Sequence, residues 1–451
     1  MRKIGIFLVF ISVGPIRAYI LVAMKMPAGT RTGKNGERLM QAQKLPLIAG
    51  FAALAMTNLA IAQAEFDPDT ALENPKEYVG SDVCRTCHLE HFDSWKRTLH
   101  SKMLQDAKAN EDVFVTELDE ATIRADFAKL EDKLSVPSAE VYVPTKDEVL
   151  YTIGSQWKQR YLVKKDGTYF IAPTQFNIDT GRWVNYHEGD WDKRPWLLKC
   201  GGCHATGVNL EEESFVEPGV GCESCHGPGS HHAALPSSET FEKRSTIVNP
   251  GKLTGGIATQ ICGSCHNRGT ATKHEGAGWP VGYMPGKALE SYYASIQPGD
   301  KHLYSNEFSK GHHQQYIDWT KSKHADSGID CISCHVVHEL GNPQFEGKTK
   351  VQGDQLCLSC HEQVQQVGAH SVHSFGNCVS CHMPRIAKSA ESGDIRSHVF
   401  DVLLPQATID EELPNSCQAS CHEDDEPAEL QKRWDDLTVR EAVIPISKVL
   451  E

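Results

Sequence analysis

The sixteen cysteines constrain this 451-residue chain more than any other feature of its sequence. They fall into eight pairs, and a histidine directly follows the second cysteine of each pair. Seven pairs enclose two residues and the last encloses three. The eight motifs are Cys84/Cys87/His88, Cys200/Cys203/His204, Cys222/Cys225/His226, Cys262/Cys265/His266, Cys331/Cys334/His335, Cys357/Cys360/His361, Cys378/Cys381/His382 and Cys417/Cys421/His422. Any fold of this chain must therefore bring two thiols and one imidazole together eight times.

This spacing is the one that covalent attachment of a c-type haem requires. Two thiols add across the two vinyl groups of one haem, and the histidine that follows becomes the proximal ligand of the iron. An even number of cysteines would also suit a disulfide framework, and paired cysteines would suit structural zinc. Neither alternative explains a histidine after every pair. The sequence therefore predicts eight covalent haems, held by all sixteen cysteines, with the eight motif histidines on the irons.

Fourteen histidines lie outside the motifs and can supply the second, distal ligands. Eight of them would suffice for bis-histidine ligation, in which both axial positions are filled, and such haems usually relay electrons. The candidates are His100, His187, His232, His313, His324, His338, His373 and His398. Neighbouring histidines leave three choices open, which are His231 or His232, His312 or His313, and His370 or His373.

Residues 1–64 are predicted to be a leader and signal peptide. Lys44 precedes an apolar stretch from Leu45 to Ala62, and Ala62-Gln63-Ala64 provides a small-residue cleavage site. That order is typical of a secretory signal peptide, so we expect a mature chain that begins near Glu65 and is periplasmic or extracellular. A membrane anchor that stays attached is the alternative.

The segment upstream, residues 4–24, is apolar but interrupted by Pro15 and Arg17. It suits either a first transmembrane helix or a stretch translated ahead of a true start at Met40.

The chain is acidic, with a formal charge of −14. Without residues 1–64, the remaining 37 Lys and Arg and 58 Asp and Glu give a charge near −21. Such a surface argues against nucleic acid and anionic lipid as partners. It favours basic redox proteins, such as quinol-linked or periplasmic cytochromes, or serves solubility alone, and it is compatible with an oligomer.

The mature chain offers few residues per haem, so the haems must supply much of the apolar core. We expect a mainly α, loop-rich fold whose short helices begin near the motifs and end at frequent Gly and Pro. A first multihaem region is expected over residues 65–345, a second over 346–425, and a polar tail over 426–451. In that tail, Pro427 to Val439 predicts a polar helix.

A small antiparallel β insertion is expected at about 140–187, in the longest interval between motifs. The predicted strands are Val141–Val143, Glu148–Ile153, Arg160–Lys165, Thr168–Ala172 and Trp183–Tyr186. Asp166-Gly167 is predicted to be a two-residue hairpin turn. The insertion carries no haem motif, so it would cover haem faces or form a contact surface.

Several strings beside the motifs resemble the cytochrome c-554/c-prime family. They are residues 78–81, Trp95, His100, Trp196, residues 227–229, residues 280–286 and residues 383–385. The resemblance extends from about residue 78 to residue 425. It implies closely packed haem pairs, mostly helical structure, and a periplasmic or surface role in respiratory electron flow.

The same superfamily includes enzymes that act on nitrogen and sulfur compounds. Many of the reductases replace the proximal histidine of the catalytic haem with lysine, whereas all eight motifs here end in histidine. The hydroxylamine-oxidising type needs a tyrosine cross-linked to its active haem, and no residue here can be assigned that role.

The leading hypothesis is therefore an exported electron-transfer protein with no catalytic residue. One alternative is an oxidoreductase for a nitrogen or sulfur compound, which requires an iron with no second histidine and an open pocket. Another is a subunit of an outer-membrane or extracellular electron conduit, which requires an exposed haem at each end of the chain.

Overall fold

The computed structural model describes residues 5–13, 16–24, 66–338, 349–365 and 367–443, and the chain divides into two compact units, residues 1–65 and 66–451. In the first unit, strands β1 (Gly5–Val13) and β2 (Ile16–Met24) pair antiparallel. β-branched and aromatic residues, which favour strands, are frequent in both, and no transmembrane helix forms in the described part of residues 4–24. The predicted signal peptide from Leu45 to Ala64 lies outside the described residues. Within the described ranges, no helix is long and apolar enough to cross a membrane.

The second unit is loop-rich, and most of its helices are only one or two turns long. Helix accounts for 34% and strand for 14% of the structure, so helix is the larger share without dominating the chain. The α-helices are Pro68–Ala71, Ser81–Arg85, Leu89–Lys96, Glu120–Ala128, Gly202–His204, Cys222–His226, Ser230–Ala234, Thr240–Ser245, Gly255–Gly263, Gln315–Trp319, Lys323–Asp326, Cys331–Cys334, Gln355–Leu358, Gly368–Val372, Cys378–His382, Pro405–Glu411 and Pro427–Val443. The last one confirms the polar helix predicted from Pro427.

The β insertion is confirmed as one antiparallel sheet of five strands in the order β3-β4-β5-β6-β7. The strands are β3 (Leu104–Asp106), β4 (Tyr151–Ile153), β5 (Lys158–Lys165), β6 (Thr168–Asn177) and β7 (Arg182–Asn185). The β5–β6 hairpin turns at Asp166 and Gly167, whose φ angles are 50° and 88°. Positive φ at both central residues is what a type I′ turn requires, which explains the Asp-Gly sequence.

One expectation about this sheet was wrong. Val141–Val143 is not a strand, and Val141 is buried in the core beside the sheet. The short strand β3 was not predicted, and it pairs with β4 from Leu104 opposite Ile153 to Asp106 opposite Tyr151. Three further two-stranded sheets pair β8 (Ala205–Thr206) with β9 (Glu217–Pro218), β10 (Gly269–Ala271) with β11 (Tyr293–Ser295), and β12 (Arg385–Ala387) with β13 (Ile395–Arg396).

Strand β5 divides the core into two layers. Tyr161 and Val163 pack with Phe127 on one side of the sheet, whereas Leu162 packs with Trp196 beside the second haem motif. Because side chains alternate between the two faces of a strand, positions 158 and 160 share the face of Leu162. The sheet therefore presents two cationic residues of β5 to the second motif.

The backbone of Gly202, between the two cysteines of that motif, packs directly against the Trp279 ring. A Cβ on Gly202 would lie 2.1 Å from the Trp279 ring, and Trp279 Nε1 donates a hydrogen bond to the carbonyl of Leu197 at 2.9 Å. The second motif is thereby held against the segment after the fourth motif.

Candidate functional site

In several predicted haem-binding motifs, one helical turn joins the first cysteine to the histidine. The backbone N–H of the motif histidine donates to the carbonyl of the first cysteine at 2.9 Å in His88, 2.8 Å in His266 and 2.9 Å in His335. In the last motif the same bond joins His422 to Cys417 at 3.0 Å. Its extra residue therefore leaves this closure intact. All sixteen cysteines lie within the described ranges, and none of them is paired in a disulfide.

The sixteen predicted haem-binding cysteines differ in their exposure. Twelve cysteines are partly buried, whereas the remaining four are exposed, namely Cys87, Cys360, Cys381 and Cys421. Each of the four is the second cysteine of its motif, at the end of the short helical turn. The Sγ atoms of Cys87 and Cys360 lie 3.8 Å and 3.9 Å from the hydroxyl of the preceding Thr86 or Ser359, and both hydroxyl-bearing residues are themselves exposed. Their attachment to haem stays a prediction.

Seven of the eight motif histidines face a second imidazole at a nearly constant distance. The ring centres are 6.3 Å apart in His88–His232, 6.2 Å in His226–His338, 6.2 Å in His266–His100, 6.2 Å in His335–His398, 6.0 Å in His361–His324, 6.3 Å in His382–His370 and 6.2 Å in His422–His373. Because a bond from a metal to an imidazole nitrogen is about 2 Å, two imidazoles on opposite sides of one iron have ring centres about 6 Å apart. The residues of these seven sites therefore fit a haem.

The pairs include six of the eight histidines predicted as distal ligands, which are His100, His232, His324, His338, His373 and His398. The seventh partner is His370, which the sequence left as an alternative to His373. Both occur in pairs, because His370 faces His382 and His373 faces His422.

His187 and His313 do not face a motif histidine at this spacing in the described part of the chain. The His187 ring packs 4.5 Å from the Tyr186 ring, and its Nδ1 lies 3.8 Å from Asp190. Nδ1 of His313 lies 3.2 Å from Nδ1 of His312. The geometry thus offers no support for either as a distal ligand.

Hydrogen bonds to Nδ1 orient several of the paired imidazoles. His226 Nδ1 is 2.7 Å from the Val248 carbonyl, and His422 Nδ1 is 2.9 Å from Asp425 Oδ2. The bond to His422 lowers the pKa of the Asp425 carboxyl. Such partners fix the ring and leave Nε2 for the metal.

His204, in the second motif, has no facing imidazole at the spacing of the seven pairs among the described residues. Its ring contact is with Trp196 at 6.5 Å, and within the described ranges its Nδ1 is buried without a hydrogen-bond partner. Burial, followed by the charges of Arg160 and Lys158, lowers the pKa of His204 to about 4. Both cationic side chains of β5 are therefore close enough to act on this imidazole.

The two β5 cations are held by specific contacts. The Arg160 guanidinium lies 3.6 Å from the Tyr186 ring centre, and its Nε donates to Gln175 Oε1 at 2.7 Å. Lys158 Nζ donates to the carbonyl of Ser389. Burial, followed by the charge of Arg160, lowers the pKa of Lys158 to about 6.

Arg268 and the histidines of the 312–313 segment form a second group of polar side chains near His204. Arg268 Nη2 is 3.4 Å from His313 Nδ1, and Arg268 Nε donates to Gln314 Oε1 at 3.2 Å. Burial, followed by Arg268 and His204, lowers the pKa of His313 well below its ordinary value. The charge of Lys158 acts on both His312 and His313. The site beside His204 is thus rich in positive charge and N–H donors, a combination that suits a small anion.

Cysteine side chains of different motifs lie close to one another. The pairs are Cys84–Cys222, Cys203–Cys265, Cys225–Cys265, Cys262–Cys331, Cys334–Cys357, Cys357–Cys378 and Cys381–Cys421. The eight motifs therefore form one connected series. The fourth motif is its branch point, because its cysteines interact with those of the second, third and fifth motifs.

Sequence reasoning missed the cationic site. In the sequence, Arg160 is only the first residue of the predicted strand Arg160–Lys165, and no motif marks Lys158 or Arg160. The signal that could have found the site is the period of two, which puts Lys158 and Arg160 on the face of the apolar Leu162.

Two family profiles match the chain at its motifs. The family described as "Cytochrome c554 and c-prime" matches residues 83–140 and 185–227, which contain the first three motifs. The family described as "Doubled CXXCH motif" matches residues 324–366, which contain the fifth and sixth motifs.

Three curated proteins are similar to parts of the chain. Dissimilatory sulfite reductase MccA of Wolinella succinogenes is 21% identical over 398 residues, which are 70% of this chain and 52% of that protein. Multiheme cytochrome MtrA of Shewanella baltica is 25% identical over 187 residues, 40% of each chain. Cytochrome c-554 of Nitrosomonas europaea is 24% identical over 256 residues, 54% of this chain and 74% of that protein. The chain thus spans about half the length of the first of these relatives and less of the second.

Among solved structures, the outer cell wall cytochrome OcwA aligns with a TM-score of 0.62 and 22% identity, over 81% of this chain and 88% of its own. This similarity supports a shared fold. The family matches and the cytochromes among the relatives support covalent c-type haems, the kind of cofactor predicted from the cysteine pairs. The chain is therefore a multihaem c-type cytochrome.

Proposed function

We propose that this cytochrome is an exported oxidoreductase with eight covalent haems that converts a small nitrogen or sulfur oxyanion at its second motif. When bound, haem iron supplies one-electron redox chemistry and, on a face without a distal ligand, a position for substrate. The seven histidine pairs serve electron transfer. Basic redox proteins are the proposed partners, as the negative charge of the chain favours.

One observation carries this proposal, namely the contrast between His204 and the other seven motif histidines. Those seven have a second imidazole 6.0–6.3 Å away, whereas His204 has none among the described residues. The sequence alone favoured a carrier, because the histidine supply suffices for eight pairs. His312 and His313 do not face His204 at the spacing of the seven pairs. Neither therefore takes the role of a distal ligand there, which favours the oxidoreductase alternative.

The side chains beside His204 support an oxyanion as the substrate. Arg160 and Arg268 stay protonated in proteins and offer several N–H donors each. Lys158, whose pKa is lowered to about 6, can hold and release a proton at Nζ near neutral pH. Conversion of an oxyanion exchanges protons as well as electrons, so a group with such a pKa is suited to general acid–base work.

The connected motifs support a supply of electrons to this site. Cys203 of the second motif interacts with Cys265 of the fourth, from which the series continues in two directions. The second motif is therefore one end of a branched series.

The test begins with the purified protein and its haem spectrum. A pyridine haemochrome assay should return eight haems per chain, and low-temperature electron paramagnetic resonance should show one high-spin haem among low-spin ones. Nitrite, hydroxylamine and sulfite, titrated separately, should perturb the high-spin signal only. If all eight haems are low-spin and none of the three compounds changes the spectrum, the protein is an electron carrier and the proposed oxidoreductase function is wrong.

A pair of variants on β5 localises the binding site. Arg160→Gln should weaken nitrite or sulfite binding by roughly 10- to 100-fold, because a hydrogen bond to a charged group contributes about 1.5–3 kcal/mol. Lys164→Gln, on the exposed part of the same strand, should bind as the natural chain does. Equal losses in both variants would place the site elsewhere.

A further inference from the structure

We propose that Asp394 is a positioning residue for Lys158, acting through the tight turn between strands β12 and β13. This inference rests on the proposed function, because it concerns the side chain that faces the substrate beside His204. Asp394 is distant in sequence and belongs to no haem motif.

The Asp394 carboxylate shapes the turn by accepting three consecutive backbone hydrogen bonds. They come from the N–H of Ser389 at 2.5 Å, of Ala390 at 2.6 Å and of Glu391 at 2.9 Å. Three donors on one carboxylate fix the orientation of the intervening peptide groups. The carbonyl of Ser389, which belongs to this turn, therefore has a set direction.

That carbonyl accepts the hydrogen bond from Lys158 Nζ. A lysine side chain has four rotatable bonds and is costly to hold in one conformation, so a fixed acceptor is needed to keep Nζ near His204. Asp394 also contributes charge. Of the charged groups that act on Lys158, Arg160, Lys388 and Arg268 oppose its protonation, whereas Asp394 favours it.

Hydrogen bonds join the β12–β13 hairpin to the five-stranded sheet and to the 310–314 segment. Toward the sheet, Glu391 Oε1 accepts from Asn177 at 2.7 Å and from Arg182 at 3.0 Å. Toward the 310–314 segment, the N–H of Lys388 donates to the carbonyl of Lys310 at 2.9 Å. The Ser389 carbonyl is thus held between the two groups of cationic residues.

A double-mutant cycle on the full haem-loaded protein tests the coupling. The measured quantities are the dissociation constants of nitrite and of sulfite from the high-spin haem signal, and the separate values of kcat and KM for whichever anion is converted. Asp394→Ala should weaken anion binding about tenfold, and Asp394→Asn, which keeps one acceptor oxygen, should lose less. In the Lys158→Met background the Asp394 substitutions should have no further effect.

The matched control is Asp106→Ala. Asp106 also accepts two backbone hydrogen bonds, from Lys108 at 2.8 Å and Ala109 at 2.9 Å, in a turn on the same sheet. This variant should bind anions as the natural chain does, and all variants should keep the potentials of the low-spin haems.

The outcomes separate this inference from the proposed function. If the natural chain binds no anion at a high-spin haem, the proposed function fails and this inference fails with it. If the natural chain binds anions and Asp394→Ala binds them equally well, only the positioning role is overturned. If Asp394→Ala does not fold, the anion binding of Asp394→Asn is measured instead. If an Asp394 substitution weakens anion binding as much in the Lys158→Met background as in the natural chain, the positioning role is overturned.

Discussion

His231 and His232 are neighbours in the sequence and have different surroundings in the structure. Nε2 of His231 lies 2.8 Å from the carbonyl of Asn74. The ring centre of His232 lies 6.3 Å from that of His88, and its Nδ1 is 2.8 Å from the Lys243 carbonyl. Of these two neighbours, only His232 faces His88, so we propose His232 as the distal ligand of the first haem. The His91 ring also lies near His88, at 6.1 Å but almost perpendicular to it, whereas the His232 ring is stacked.

Substitution of these two histidines by alanine should therefore give opposite results. His232→Ala should convert one of eight haems from low spin to five-coordinate high spin, because the iron loses one axial ligand. His231→Ala should leave the spectrum unchanged. Resonance Raman spectroscopy distinguishes the two states, and a new high-spin band in both variants, or in neither, would contradict the assignment.

A second residue-scale prediction concerns His422, a predicted proximal ligand, and the carboxylate that binds it. The Asp425 carboxylate accepts from His422 Nδ1 and is also bound by Arg433 Nη1 at 2.9 Å. A negative partner makes the imidazole a stronger donor and stabilises the ferric state. Asp425→Asn should therefore raise the midpoint potential of the eighth haem, whereas Glu423→Gln, on the exposed neighbour of His422, should not. A spectroelectrochemical titration measures both, and a downward or absent shift in Asp425→Asn would refute the role of this carboxylate.

At the scale of secondary structure, the sequence predicts features that depend on neighbouring residues and misses those that depend on tertiary contacts. The cysteine pairs and the Asp166-Gly167 turn are read from adjacent residues, and the structure confirms the turn. The three-residue strand β3 was missed because it pairs with a strand more than forty residues away, which no local pattern reveals. The pairing of His370 and His373 with different motifs, and the approach of Lys158 to His204, likewise depend on tertiary contacts.

The second motif offers an element-scale prediction, since its two glycines have unequal surroundings. A Cβ on Gly202 would lie 2.1 Å from the Trp279 ring, whereas one on Gly201 would meet the flexible Leu197 side chain at 3.2 Å. Gly202→Ala should therefore displace Trp279 and destabilise the fold by about 1–3 kcal/mol, with a smaller loss in Gly201→Ala. Thermal unfolding followed by circular dichroism, together with the high-spin signal of the second haem, measures both. Equal effects would show that the Trp279 contact does not hold this motif.

At the scale of the whole molecule, the branched series of motifs lies in a strongly acidic chain. The formal charge is −14, and charge of one sign raises the encounter rate with partners of the opposite sign. Electron exchange with a cationic complex such as hexaammineruthenium should therefore slow by on the order of tenfold as ionic strength rises from low to physiological values, because salt screens the attraction. Exchange with the anionic ferricyanide should speed up over the same range, and stopped-flow absorbance of the haems measures both rates. If both reagents respond to salt in the same direction, the net charge does not steer partners, and the preference for basic redox proteins would have to come from a local contact surface instead.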